Sequence, residues 1–177
     1  MVKHLYELGH RELAFVSWRY KVPTPWVEKR FGAFVENLTR LDLPYRPDRI
    51  VNVSRRGQIG PEAVSRRVVE MVHDGVTAIV CAADHQAYPL VSALRASGIR
   101  VPEDVSVTGF DGVSPPNGED QLTTVRTPFR DIGISSVVSL LRRVSNSSAP
   151  RRHILVCGRS IEGKSTDVAP VYEQQTI

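Results

Sequence analysis

The sequence predicts an α/β fold with a doubly wound parallel sheet. Short apolar runs alternate along the chain with longer segments whose apolar residues recur at helical spacing. One run, 77–81, is continuous rather than alternating, as is typical of a strand buried on both faces. Strands separated by helices of this length are joined by right-handed crossovers, so the strands run parallel. The 177 residues suffice for one ordinary domain with a sizeable core.

Four strands and three helices are predicted before residue 112. The strands are 13–16, 50–53, 77–81 and 105–110. Each helix gathers apolar residues on one face: Phe31, Phe34, Val35 and Leu38 in the first, Val64, Val68, Met71 and Val72 in the second, and Ala87, Leu90, Val91 and Leu94 in the third. Pro61 suits the first turn of the second helix, and Gly98 ends the third.

The pattern changes after residue 111. The segment 112–118 is a loop rich in glycine and proline, which indicates a boundary or a crossover. A short strand at 122–125 leads into a further helix, whose apolar side consists of Ile134, Val137, Val138 and Leu141. The linker-like stretch 145–150 precedes extended segments at 154–156 and 160–161.

Composition and charge narrow the function classes. The formal net charge is +4 with a pI near 9.3, but the basic residues come in four separate doublets, which are Arg55-Arg56, Arg66-Arg67, Arg142-Arg143 and Arg151-Arg152. This distribution favours a solvated surface over a nucleic-acid stripe, and no DNA-reading motif accompanies the charge. No apolar run has membrane-spanning length and the first residues do not read as a secretory signal, so the cytoplasm is the expected compartment.

No metal or cofactor site is predicted. The five histidines lack metal-ligand spacing, and the two cysteines, Cys81 and Cys157, lie in apolar runs and are interpreted as small core residues. His10 is expected to end the first helix, where a cation interacts well with the exposed carbonyls.

Polar and aromatic residues follow the predicted strands at their carboxyl ends, where parallel sheets bind ligands. They are Ser17-Trp18, Ser54-Arg55-Arg56, Ala83-Asp84-His85 and Asp111. An aromatic face, cations and two carboxylates suit a small polar ligand such as a sugar or a nucleobase. The alternatives are that Asp84 only caps the helix 84–97 and that Asp111 only opens a turn.

The segment 158–165 matches the P-loop pattern GxxxxGK[ST] and follows an apolar run. A P-loop also needs a helix after its last residue and a later strand with an acidic residue for magnesium. The sequence after Ser165 opens poorly as a helix and is short, so we interpret the match as chance.

Several blocks resemble the LacI/GalR family of bacterial transcriptional regulators. They are 8–16, 30–34, 77–84, 122–125 and, most specifically, 100–111, which reads Arg-Val-Pro-Glu-Asp-Val-Ser-Val-Thr-Gly-Phe-Asp. The resemblance runs from about residue 4 to Thr166 and implies the periplasmic-binding-protein-like fold of that family's effector domain. Family members resemble this chain only in their C-terminal half, so we expect a fragment or truncated frame that lacks the DNA-binding headpiece and most of the first subdomain.

The family topology implies a division of the chain. Residues 1–10 are expected to end a helix of the missing first subdomain, and 11–121 to form the effector-binding second subdomain. Residues 122–149 resemble the segment that returns to the first subdomain, and 150–177 are expected to form C-terminal strands and a tail.

The resemblance also nominates ligand contacts. Arg30 and Asp111 match the family's effector-contacting arginine and aspartate, and Asp84 lies in the block that lines the cleft. Two departures stand out: Ala83 occupies a position where the family often has Asn, and Arg55 lies near its frequent sugar-stacking aromatic ring. If Arg55 replaces that ring, a phosphorylated or carboxylated metabolite is favoured over a neutral sugar. Otherwise Trp18 or Trp26 supplies the stacking face.

The sequence therefore predicts a non-enzymatic, effector-binding module of a LacI-type regulator. The resemblance further implies a homodimer, with the helix around 87–94 as the candidate contact, and DNA binding only through the missing headpiece. Two alternatives stay open: a solute-binding protein of a sugar transport system, which shares the fold, and a P-loop nucleotide hydrolase, which the match at 158–165 suggests.

Overall fold

The computed structural model describes residues 1–18, 20–22, 24–52, 59–116 and 118–170. The helices are α1 (Val2–Glu7), α2 (Pro25–Arg40), α3 (Pro61–His73), α4 (Asp84–Ala96) and α5 (Phe129–Ser145), with a short 3₁₀ turn at Pro47–Arg49. The strands are β1 (Leu13–Val16), β2 (Ile50–Val51), β3 (Ala78–Cys81), β4 (Ser106–Thr108), β5 (Thr124–Arg126) and β6 (Arg159–Ile161). Among the described residues, no helix is long and apolar enough to span a bilayer.

Four strands form the predicted parallel sheet, in the order β2-β1-β3-β4. Successive side chains of a strand point to opposite faces, so β1 contributes to two separate cores. Ala14 and Val16 pack with α3 and α4 on one face, while Leu13 and Phe15 pack with α1 and α2 on the other. Helices on both faces make the sheet doubly wound, which confirms the predicted fold class.

The first helix packs differently from its expected assignment. Val2 and Leu5 of α1 are buried in the same core as Leu13, Phe15 and other residues of the four-stranded sheet. By its contacts, α1 is therefore part of this sheet's own helical layer, because its apolar side is covered by this core. Assigning residues 1–10 to another subdomain does not match that packing.

The chain after residue 121 continues the sheet edge and then leaves it. The backbone N–H groups of Gly109 and Asp111 donate to the carbonyls of Thr123 and Val125. Strand β5 also pairs antiparallel with β6. Helix α5 follows, and none of its residues is buried. Its apolar side, Ile134, Val137, Val138 and Leu141, is about half exposed or more, and Cys157 is exposed too, so the prediction of a core role for Cys157 is wrong. Cys81 is buried as predicted.

A C-terminal strap, defined here as residues 163–169, returns across the edge of β4 to α1. The carbonyl of Ser165 accepts from the N–H of Val107, and the N–H of Ala169 donates to the carbonyl of Leu8. His10 is fully buried beneath the strap, where Nε2 donates to the carbonyl of Asp167 and Nδ1 accepts from the hydroxyl of Thr77. Burial lowers the pKa of His10, so the expectation of a cation at a helix end is wrong.

Candidate functional site

The carboxyl ends of β1, β3 and β4 meet the amino-terminal ends of α2 and α4 at one edge of the sheet. Parallel strands all end at the same edge, so residues far apart in sequence are brought together there. The predicted residues Trp18, Trp26, Arg30, Asp84 and Asp111 all lie at this edge. Arg55 lies outside the described residues, as do Ser54 and Arg56.

Arg30 is the best-fixed side chain of this edge. One guanidinium nitrogen donates to the carbonyl of Ala82 at 2.6 Å, and the other donates to Asp111 Oδ1 at 2.8 Å. The guanidinium carbon lies 3.8 Å from the ring centroid of Phe110 and 4.7 Å from that of Trp26. Two hydrogen bonds and two ring faces hold the arginine in a single orientation, with about a fifth of its side chain exposed.

Asp111 owes its position to an unusual backbone conformation. Its φ of 113° is rare for a residue with a side chain. Its backbone N–H and carbonyl both bond to the segment after β4, through Val125 O and the N–H of Thr127, which hold this conformation in place. Asp111 Oδ1 accepts from Arg30 and, at 3.4 Å, from the hydroxyl of Thr127. The carboxylate is partly exposed, so Asp111 offers an acceptor beside the arginine. An isolated turn residue would not be tied in this way.

Three aromatic residues, Trp18, Tyr20 and Trp26, lie between β1 and the first turn of α2. Tyr20 and Trp26 meet edge to face with ring centroids 5.5 Å apart, and Trp18 meets the ring of His85 in the same manner at 5.8 Å. All three aromatic residues are only partly buried. The segment leading into α2 therefore offers ring surface next to the Arg30 and Asp111 groups.

Tyr20 joins this aromatic segment to the start of α4. Its hydroxyl lies 3.1 Å from His85 Nε2 and accepts from the side-chain amide of Gln86. Gln86 is fully buried, and its Oε1 has no hydrogen-bond partner among the described residues. Burial raises the pKa of Tyr20, which keeps the hydroxyl protonated.

Asp84 plays neither of the roles considered for it. It is the first residue of α4 but makes no capping bond there, and it is fully buried. One oxygen accepts from the N–H of Val113 at 2.8 Å, and the other accepts from the hydroxyl of Thr124 at 2.7 Å. Burial raises the pKa of this carboxyl. Asp84 therefore ties α4 to β5 and to the loop after β4 and presents no exposed oxygen to a ligand.

Sequence reasoning missed Phe110, Tyr20, Gln86 and Thr127. Phe110 immediately precedes Asp111, so its position at a strand end was a signal available in the sequence. Gln86 and Thr127 gain their roles only through contacts with residues that are distant along the chain.

The segment that matches the P-loop pattern serves as packing. Ser165 is buried, donates to the carbonyl of Val107 and accepts from the N–H of Thr123. A Cβ at Gly163 would lie 2.0 Å from the carbonyl oxygen of Gln121, so this glycine permits a close backbone approach. No helix follows Ser165 in the described residues up to 170. The hydroxyl of Ser165 is thus used in hydrogen bonds within the fold, and Gly163 is needed for close packing of the backbone.

Metal ligands do not gather in the described part of the chain: no group of three or more His, Cys, Asp or Glu side chains could hold an ion there.

Comparisons with known proteins identify the family of this chain. A family model described as a periplasmic binding protein-like domain matches residues 2–166. The HTH-type transcriptional repressor PurR of Aliivibrio salmonicida (strain LFI1238) is 32% identical over 158 residues, which cover 85% of this chain and 44% of that protein. The chain thus spans less than half the length of this relative.

Solved structures show the same fold. The lac repressor dimer bound to operator and the anti-inducer ONPF is 26% identical with a TM-score of 0.74, covering 94% of this chain and 56% of that chain. The transcriptional regulator CelR in its cellobiose complex has a TM-score of 0.77 at 23% identity, covering 93% of this chain and 49% of that chain. The chain belongs to the periplasmic binding protein-like domain family, as a C-terminal effector-binding domain of the LacI/GalR type.

Proposed function

We propose that this chain is the ligand-sensing part of a LacI-type transcriptional regulator and that a small polar metabolite binds at the edge around Arg30. The observation that carries the proposal is the fixed arginine itself, held by Ala82 and Asp111 between the rings of Trp26 and Phe110. A preorganised donor beside a partly exposed carboxylate and free ring surface is what recognition of a small polar ligand requires.

The charge balance favours a neutral, hydroxyl-rich ligand. The positive charge of Arg30 is compensated by Asp111 at 2.8 Å, so the pair offers donors and acceptors without net charge. Trp18, Tyr20 and Trp26 supply the apolar ring faces on which a sugar ring packs. The preference for an acidic metabolite depended on Arg55, which lies outside the described residues. We therefore propose a sugar-like effector, with a phosphorylated or carboxylated one as the alternative to test.

The proposed mechanism is a shift between two conformations. The relatives are named as transcriptional repressors or regulators, one of them bound to operator and another to cellobiose, and not as enzymes. By analogy, the ligand favours one arrangement of this domain relative to a first subdomain and so changes DNA affinity through a headpiece elsewhere in the longer protein. These names support the regulator over the solute-binding protein of a transport system.

Assembly as a homodimer is part of the proposal. The dimer contact cannot, however, be formed by the apolar residues of α4 that the sequence suggested. The residues first considered on α4, Ala87, Leu90, Val91 and Leu94, are buried in the chain's own core. They face the sheet, so they are not available to a second copy. The exposed side of α4 carries His85, Pro89, Ser92 and Arg95 instead.

A thermal-shift screen tests the binding proposal. Neutral sugars and their phosphorylated and carboxylated derivatives are ranked by the rise in Tm, which reports ligand binding to the folded state. Arg30→Ala should weaken binding of every hit about 10- to 100-fold, because charge-assisted hydrogen bonds contribute about 1.5–3 kcal/mol. Asp111→Asn should weaken it as well, because the amide replaces one acceptor oxygen with a donor.

Arg40→Ala is the matched control. Arg40 lies on the same helix α2, is exposed and, among the described residues, forms its ion pair with Glu36 on the surface, so its removal should leave ligand shifts unchanged. If Arg30→Ala and Asp111→Asn also leave every shift unchanged, the site is misplaced. If acidic derivatives outrank the neutral sugars, and Arg55→Ala removes only their binding, the acidic alternative replaces the neutral one.

A further inference from the structure

Gln86 is a buried polar residue whose presence folding stability alone does not explain. It lies in the first turn of α4 and is fully buried. Its Nε2 donates to the hydroxyl of Tyr20, whereas its Oε1 has no partner among the described residues. An unpartnered acceptor in the interior lowers folding stability, and an apolar side chain of the same shape avoids that loss. Methionine has about the shape of glutamine and carries only a weak acceptor.

The hydroxyl of Tyr20 fastens a segment that has few other attachments. Tyr20 lies between β1 and α2, outside any helix or strand. Within the described part of the chain, residues 20–22 form no hydrogen bond from their backbone to another backbone group. The Tyr20 hydroxyl contacts α4 twice, through Gln86 and through Nε2 of His85 at 3.1 Å. Because His85 is exposed, water competes for its bond, and Gln86 is the buried point of attachment.

Two further contacts connect this attachment to Arg30. The rings of Tyr20 and Trp26 meet edge to face with their centroids 5.5 Å apart. The guanidinium carbon of Arg30 lies 4.7 Å from the ring centroid of Trp26, and the same guanidinium donates to Asp111. A continuous series of contacts thus runs from the buried amide of Gln86 through Tyr20 and Trp26 to Arg30.

We propose that Gln86 is a positioning residue, which holds the ring of Tyr20 against Trp26 beside Arg30 at a cost in folding stability. The proposal rests on the ligand site proposed around Arg30. Gln86 is fully buried, so it acts through Tyr20 and not by contact with a ligand. Aromatic side chains that are fixed before a ligand arrives lose less conformational freedom on binding, and this preorganisation increases affinity.

Gln86→Met separates a positioning role from a stabilising one, because the two roles predict opposite changes in Tm. Methionine removes the unpartnered oxygen and keeps the volume and the helix propensity, so Tm should stay level or rise by up to about 2–4 °C. Ser165→Ala is the control, because the buried Ser165 hydroxyl both donates and accepts, and its loss should lower Tm by about 2–4 °C or more. A lower Tm for Gln86→Met than for wild type makes Gln86 an ordinary stabilising residue and overturns the proposal.

The fluorescence of Trp26 reports whether Tyr20 stays in place. Trp18 and Trp26 are the two tryptophans of the sequence, so Trp18→Phe leaves Trp26 as the single reporter. In that background, Gln86→Met should raise the quenching of Trp26 by acrylamide, because a released Tyr20 ring uncovers it. Tyr20→Phe should raise the quenching to a similar extent, and adding Gln86→Met to Tyr20→Phe should change nothing further. Ser165→Ala should leave the quenching unchanged.

Binding is measured with the sugar or sugar derivative that gives the largest Tm rise in the thermal-shift screen. Its affinity for Gln86→Met should be about 2- to 10-fold weaker than for wild type, since a freed aromatic side chain must be ordered again. Unchanged affinity overturns the role of Gln86, as does unchanged quenching or an effect of Gln86→Met that persists in full beside Tyr20→Phe. If no compound raises Tm, or if Arg30→Ala leaves every shift unchanged, the ligand site itself is wrong and this role falls with it, whereas the quenching still reports whether Gln86 holds Tyr20.

Discussion

At the scale of single residues, the sheet edge is built from polar groups that satisfy one another. Arg30 and Asp111 remain partly exposed and available, whereas Asp84 is fully buried and committed to Val113 and Thr124. The proposed binding residues are thus supported by the buried contacts of Asp84, which hold α4, β5 and the loop after β4 together.

Gly109 makes the burial of Asp84 possible. A Cβ at position 109 would lie 2.0 Å from Asp84 Oδ1. We expect Gly109→Ala to lower the free energy of unfolding by about 1–3 kcal/mol, because neither the carboxylate nor the strand has room to shift. Chemical denaturation measures the change.

Gly32→Ala is the comparison for that measurement. Gly32 lies within α2, and a Cβ at this position would meet no atom within 4 Å, so alanine should stabilise the helix by about 0.5–1 kcal/mol. Equal stability of wild type and Gly109→Ala would mean that Asp84 is not confined as described.

Residue patterns predicted part of this site and missed part of it. Arg30, Trp18, Trp26 and Asp111 lie at the edge where strand ends and family resemblance placed them. The role of Asp84 was not predictable, because its partners are 29 and 40 residues away and lie beyond a loop. A carboxylate at the start of a helix resembles a cap in sequence, and only tertiary contacts reveal its actual partners.

At the scale of elements, the C-terminal strap is fastened by a neutral histidine. His10 bonds Thr77 on one side and Asp167 of the strap on the other, and burial lowers its pKa below the ordinary value. The strap also bonds β4 through Ser165 and Asp167. Its attachment therefore depends on the protonation state of one buried ring.

This arrangement predicts acid sensitivity with a defined sign. In the unfolded chain His10 takes up a proton near pH 6.5, whereas in the folded chain it does so only at lower pH. The free energy of unfolding should therefore fall as pH drops below about 6.5, by at most about 1.4 kcal/mol per pH unit for one proton. Urea unfolding between about pH 7.5 and 5 measures it.

His10→Gln separates this histidine from the other titrating groups. Glutamine keeps a donor and an acceptor but does not titrate in this range, so the dependence on pH should become shallower. An identical pH dependence in wild type and His10→Gln would assign the effect elsewhere.

Helix α5 predicts self-association. Its apolar side, which consists of Ile134, Val137, Val138 and Leu141, is about half exposed or more. Exposed apolar surface of this kind favours association with another protein surface. We expect the chain to associate at high concentration and Val138→Glu/Leu141→Glu to reduce the association. Sedimentation equilibrium measures it, with Thr39→Glu at an exposed position of α2 as the control. A strictly monomeric wild-type chain with α5 well ordered contradicts this prediction.

At the scale of elements, the spacing of apolar residues predicted some parts of the fold and not others. Helical spacing and apolar runs predicted the alternation of strands and helices and the exposed apolar side of α5. They did not predict the strap, because residues 163–169 lack any periodic pattern and are held by individual hydrogen bonds to β4, His10 and Leu8. Nor did they reveal that α1 belongs to this core, which depends on long-range packing of Val2 and Leu5.

At the scale of the whole molecule, sequence-specific DNA recognition is not expected from this chain alone. Base reading requires an element that enters a groove with a defined set of side chains, and neither the sequence nor the described fold presents such an element. In competition with unlabelled random duplex, any operator-like duplex should show no advantage. A tenfold preference for one sequence over its scrambled version would contradict this expectation.

A backbone hydrogen bond joins Asp111 to the residues that lead into α5. Its carbonyl accepts from the N–H of Thr127, two residues before the helix begins, so a ligand that moves Asp111 acts at the pivot of a rod about 25 Å long. A rotation of about 5° at that pivot displaces the far end by about 2 Å. The far end carries Arg142 and Arg143, so a rotation of this size would move these two arginines by about 2 Å.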